Sequence, residues 1–297
     1  AGYLSYVRRR ARRLYPVAWT ALACAGLLLA VGLRAHPGDN AWLTDQLSGP
    51  VGLHDLLGTA TLLTASDPGR LDGPLWSLVQ EMRASLLLPV LLVVVRGCSW
   101  RLVVTLSVML IVAGTLPSVA DSTQLGTAAW SWTPVVLGCF LVGGLLARHR
   151  RALLSASDGL PRRRRRSLGL LVLISFWLPS FLRHGALACA VGNLVPVAGA
   201  ALLLIVAQGT GMRRVLTAGP VAWLGAVSFP LYAFHIIVLH LLLGTSPLDV
   251  APVAYAVLGL PLAIAIAWLI HRWVEVPLAA APLSVGRGGA ALHSATA

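Results

Sequence analysis

Long apolar stretches alternate with short basic or acidic ones along the whole chain. Eight of the apolar stretches read as membrane-spanning helices: 14–33, 75–95, 102–119, 130–147, 167–182, 191–208, 221–243 and 251–270. Their lengths lie close to the roughly 17–25 residues a helix needs to cross the hydrocarbon core. Between the first two, residues 34–74 mix polar and apolar positions, and the middle part, 51–64, is too short and too polar to span. It reads as a short interfacial or re-entrant helix. After Leu278 the chain is small, polar and Gly-rich, so a membrane domain of 1–278 is followed by a disordered tail of 279–297. The predicted fold class is all-α, a polytopic integral membrane helical bundle of about eight spans.

The loop charges sort by side under this count. With Arg8–Arg13 in the cytoplasm, eight crossings place Arg96, Arg101, Arg148–Arg151, Arg162–Arg166, Arg213, Arg214 and Arg272 on that same side. The Asp-bearing loops 34–74, 121–129 and 244–250 fall on the other. Both ends of the chain then face the cytoplasm, and the expected location is a bacterial cell membrane. Arg34, Arg70 and Arg183 are minor exceptions.

Composition supports a lipid environment. Of 297 residues, 57% are hydrophobic and only 11% are charged, against about 25% charged in soluble domains. The net charge of +13 comes entirely from arginine, since the chain has no lysine. These arginines flank membrane spans and accompany no nucleic-acid-binding pattern, so they read as topology signals. Cys24, Cys98, Cys139 and Cys189 form no CxxC pair and read as small buried hydrophobes. No spacing of His36, His54 and the loop aspartates matches a zinc motif, and no metal is expected.

Candidate chemistry begins with Glu81, one of only two glutamates, at the start of an apolar helix. A carboxylate there is costly and is a functional-site hypothesis by default. Ser77 lies one turn before it on the same face, with Trp76 and Arg83 flanking. Glu81 either orients a catalytic group or binds a sugar hydroxyl, or it forms a structural pair with Arg83 or another arginine. A second stripe, Ser228, Tyr232 and His235, shares one helix face. It lines a polar passage or hydrogen-bonds between helices; Ser228 reads as packing, Tyr232 and His235 as lining. His240 falls off that face. His271 and Glu275, four residues apart, read as a helix-end salt bridge or cap. Arg9, Arg10 and Arg13 carry guanidinium forks suited to phosphate oxygens, or simply orient the chain by charge.

The stretch Leu75-Trp76-Ser77-Leu78-x-x-Glu81-Met82-Arg83-x-Ser85-Leu86-x-x-Pro89 resembles the signature of the membrane acyltransferase-3 family. Three further stretches match in the expected order: Arg9-Arg10-Ala11-Arg12-Arg13-Leu14-Tyr15-Pro16, the run Trp223 to His235, and Arg272-Trp273-Val274-Glu275-Val276-Pro277. Together they cover nearly all of the chain. The resemblance implies an enzyme that moves an acyl group, most often acetyl, from cytoplasmic acyl-CoA to a hydroxyl. The acceptor would be a glycan, a glycolipid or a glycosylated small molecule. Acyl-CoA is a donor substrate, with no permanently bound cofactor.

In that reading Arg10 and Arg13, with Arg9 beside them, anchor the donor. Glu81 positions the acceptor with Trp76 and Ser77, and Tyr232 and His235 line the passage. The arginine sorting sets Glu81 at the opposite end of its span from Arg10 and Arg13, which gives two separate half-sites. Family members have about ten spans, and the histidine expected to be their catalytic base lies in the first. The chain begins where the first two should end, so that residue is expected to be absent. A multi-span transporter, or an inactive truncated acyltransferase, is the alternative; the chain shows no inverted repeat.

Overall fold

The computed structural model describes residues 2–33, 52–64, 71–120, 125–181, 186–207, 210–245 and 252–280, and these contain no β-strand. In chain order the helices are α1 (Tyr3–Ala30), α2 (Leu53–Thr61), α3 (Leu75–Gly97), α4 (Trp100–Ala120), α5 (Leu125–Arg148), α6 (Arg150–Asp158), α7 (Arg162–Phe181) and α8 (Ala186–Ala207). They continue with α9 (Thr210–Leu216), α10 (Gly219–Thr245) and α11 (Pro252–Ile270), which runs through a π-helical stretch, His271–Glu275, into α12 (Val276–Ala280). Among the described residues all eight apolar stretches lie mainly on helices, and the short helix expected within 51–64 is α2. Residues 281–297 of the expected tail lie outside the described residues, while 279 and 280 are helical.

The described residues do not support the count of eight spans. Among the described residues four helices are long and apolar enough to cross a membrane: Tyr3–Ala30, Leu75–Gly97, Gly219–Leu243 and Val257–Ala279. A fifth is added if Trp132–Arg148 and Arg150–Ala156, bent by 71°, count as one span. In α4, α7 and α8 the described apolar portions are Trp100–Thr115, Arg166–Leu178 and Val191–Leu203. The whole helices run to 21, 20 and 22 residues, and α7 opens on five consecutive arginines.

Helix α3 lies at the junction of two groups. On one side, Leu14, Ala18 and Leu22 of α1 pack with Leu75, Leu78, Val79 and Met82 of α3. The next face of α1, Val17, Ala21, Ala25 and Leu28, packs on Ala233, Phe234 and Ile237 of α10. These positions recur at three- and four-residue steps, so α1 presents two adjacent apolar faces to two partners. Ala21 and Ala25 let the α1 and α10 backbones come close, as small residues do between membrane helices. At the far end, Leu91 and Val95 of α3 pack with Val103 of α4 and Leu141 of α5. Gly138 permits the α4–α5 contact, since a Cβ there would sit 2.8 Å from the Ser107 carbonyl oxygen.

Helices α1 and α3 run antiparallel and staggered. The Tyr3 hydroxyl donates to the Leu86 carbonyl at 2.8 Å, and Leu14 packs beside Leu75 and Leu78. From Leu86 to Gly97, α3 extends about 16 Å past the start of α1. Tyr15 and Trp19 donate to the carbonyls of Thr61 and Ala60 at 2.6 and 2.8 Å, which satisfies the last turn of α2. The chain then turns through Leu62, which has a left-handed φ of 54° and is fully buried. Its burial in the α1–α3 core offsets that backbone strain.

Candidate active site

The stagger brings the basic segment of α1 against the first half of α3. Arg10 Nη2 forms an ion pair with Glu81 Oε1, and Arg10 Nε donates to Ser85 Oγ at 3.1 Å. Glu81 and Ser85 are one helical turn apart, so one guanidinium bridges both. The separation of Glu81 from Arg10 into two half-sites is therefore not what the structure shows. Charge sorting treats each arginine as seeking the water interface, whereas a carboxylate on a neighbouring helix holds Arg10 inside the bundle. Arg13 lies near enough to Arg10 to repel it electrostatically. Arg9 reaches Ser5 Oγ at 3.5 Å on the exposed side.

Arg83, the sequence-based candidate partner of Glu81, points elsewhere. Its Nε donates to the Leu63 carbonyl at 2.8 Å and its Nη1 to Thr133 Oγ1 at 3.0 Å. Thr133 in turn donates to Gln80 Oε1 at 2.7 Å. This network ties α3 to α5 and to the segment after α2, and sequence spacing gave no sign of it. Trp76 joins the same side, its ring 5.6 Å from that of Trp132. It therefore faces α5, away from Tyr232.

Ser77 faces α10. Its hydroxyl donates to the Pro74 carbonyl at 3.0 Å, and the Tyr232 hydroxyl lies beside it. One turn along α10, His235 Nδ1 is 2.6 Å from the Tyr232 carbonyl oxygen. A carbonyl only accepts, so Nδ1 carries a proton, and in the neutral ring Nε2 presents the lone pair. The Tyr232 and His235 rings are 5.7 Å apart. With Ser228 they form the polar wall of a cavity of about 520 Å³ between α10 and α11, whose other wall includes Gly259, Leu260 and Ala263. Ser228 Oγ is satisfied within its own helix by the Gly225 carbonyl at 2.8 Å. A polar track thus runs from Arg10 to Glu81, along one turn of α3 to Ser77, and across to Tyr232 and His235.

Asp72 stands beside this track, in the turn that leads into α3; by its position along the chain it is one loop acid among several. It is fully buried, and neither carboxyl oxygen has a hydrogen-bond partner among the described residues. It is close enough to Tyr232 and Cys24 to act on both electrostatically. Burial pushes the Asp72 carboxyl well above the usual carboxylate range. Its contribution to stability is complete at acid pH, below the unfolded value of about 4, and is lost as pH rises through the folded value. Thermal unfolding in detergent across pH 4–9 should show wild-type stability falling as pH rises. In Asp72→Asn that slope should vanish; an unchanged slope would mean that Asp72 is not its source.

Two further histidines divide. His271 Nδ1 and Glu275 Oε2 meet at 2.7 Å, as their spacing indicated. His240, given no role from sequence, is fully buried in α10. Cys24, Cys98 and Cys139 are free. No group of three or more His, Cys, Asp or Glu could hold a metal ion among the described residues.

No curated protein and no solved structure matches this chain. The sequence profile of one family, described as an acyltransferase domain, matches residues 1–272. That match takes in α1, α3 and α10, the three helices that carry the polar track. It covers most of the 297 residues, and the chain belongs to the acyltransferase-3 family.

Proposed function

We propose that this membrane protein transfers an acyl group, acetyl in the simplest case, from acyl-CoA to a hydroxyl of a carbohydrate-containing acceptor. The observation that carries this reading is the track Arg10–Glu81–Ser77–Tyr232–His235, formed from three helices of a largely apolar bundle. Ionisable groups inside membrane bundles cluster where substrates or protons pass.

In the proposed reaction the acceptor hydroxyl attacks the thioester carbonyl carbon, and a base takes the hydroxyl proton. The C–O bond forms, the C–S bond breaks, and the thiolate leaves and regains a proton. Within the described residues His235 is suited to be that base, because its bond to the Tyr232 carbonyl fixes the tautomer with Nε2 open. Tyr232 and Ser77 supply hydroxyls to orient the acceptor. Glu81 fixes the Arg10 guanidinium, and that cation would stabilise negative charge developing on the thioester oxygen. The distribution of arginines favours a cytoplasmic donor side.

The test is CoA release by the purified protein in nanodiscs when sugar acceptors are added to acetyl-CoA. Acceptor-dependent release is expected. Intact acetyl-CoA with every acceptor, alongside uptake of solute by proteoliposomes, would replace this reading with a transporter.

A further inference from the structure

Arg148 joins two basic stretches that lie far apart in the sequence. The last residue of α5, it donates through Nη1 to the Val95 carbonyl and, at 2.8 Å, to the Cys98 carbonyl at the end of α3. A cation capping orphan helix carbonyls is favourable in its own right. Here it also locks the α5–α6 corner onto the α3–α4 turn, which carries Arg96 and Arg101. Arg101 stacks over Trp100 at 5.5 Å, so this turn presents its cation in a set place.

The corner itself is bent by 71°. Against it lies a cavity of about 570 Å³ lined by Arg148, His149, Arg150 and Arg151, with Leu154 on its apolar side. Among the described residues no carboxylate forms an ion pair with Arg96, Arg101 or Arg151. A corner that carries several guanidinium groups attracts anions. Guanidinium groups match the oxygens of phosphate in paired geometry. The cavity volume is in the range of small-molecule sites. Arg10, the sequence-based choice for donor phosphates, is already engaged with Glu81 and Ser85.

We propose that this corner is a binding site for phosphate esters, either the phosphates of coenzyme A or the head group of an anionic phospholipid. The coenzyme A source rests on the acyltransfer reading; the lipid source does not.

Two probes separate the sources, both with the full chain in phosphatidylcholine nanodiscs. One is coenzyme A, titrated calorimetrically. The other is phosphatidylglycerol doped into the bilayer, with retained lipid counted by native mass spectrometry. The test variant is Arg150→Gln with Arg151→Gln, both exposed; the control is Arg163→Gln with Arg164→Gln, also exposed and outside the cavity. The test variant should lose at least tenfold in affinity for one probe, and the loss should shrink at high salt. The control should bind like wild type. Loss for coenzyme A identifies the donor, and loss for phosphatidylglycerol alone identifies lipid. If neither probe responds, or the control loses as much as the test variant, the proposal is overturned. Binding of coenzyme A at this corner without transfer to any acceptor would end the acyltransfer reading and leave this one standing.

Discussion

Replacing His235 with Asn is expected to lower kcat for acyl transfer by about 10²–10⁴-fold, the usual contribution of a positioned general base. KM for the acceptor should change little. Asn is the informative substitution because its amide N–H can take over the Nδ1 bond to the Tyr232 carbonyl. The local helix geometry is kept and only the lone pair of Nε2 is lost. If His235 were a packing residue alone, His235→Asn would shift the unfolding temperature and leave turnover per folded molecule unchanged.

The second large effect is expected at the pair that joins α1 to α3. Glu81→Gln should reduce kcat by about 10²–10³-fold, on the scale of losing a preorganised electrostatic group. Arg10→Gln should do the same. The double variant should be no worse than the poorer single, because the two residues act through one contact. Fully additive losses would show that each works independently. A purely structural pair would instead lower the amount of folded protein, with normal turnover in what remains. Glu81→Asp should recover part of the activity, since a shorter carboxylate keeps the charge but draws the guanidinium away from Ser85.

Much of the helix layout could be read from the apolar runs, because a chain in lipid must satisfy its backbone internally and does so by helix. The family resemblance could be read as well, since its motifs are local. The His271–Glu275 contact was legible for the same reason: four residues on a helix meet by geometry. What depends on lateral packing was not legible. The pairing of Arg10 with Glu81 follows from the stagger of α1 against α3, which hydropathy does not encode. Asp72 looked like one of several loop acids, and its complete burial appears only once the turn before α3 is packed beside α1 and α10. The span count was legible in part: among the described residues four helices are long and apolar enough to cross a membrane, or five with the bent pair.

The most direct measurement is the mass of a carbohydrate acceptor after incubation with acetyl-CoA and the purified protein. Wild type should add one acetyl group to a hydroxyl, and Glu81→Gln or His235→Asn almost none at equal amounts of folded protein. An acceptor that stays unmodified by wild type, or that both variants acetylate at the wild-type rate, would contradict it.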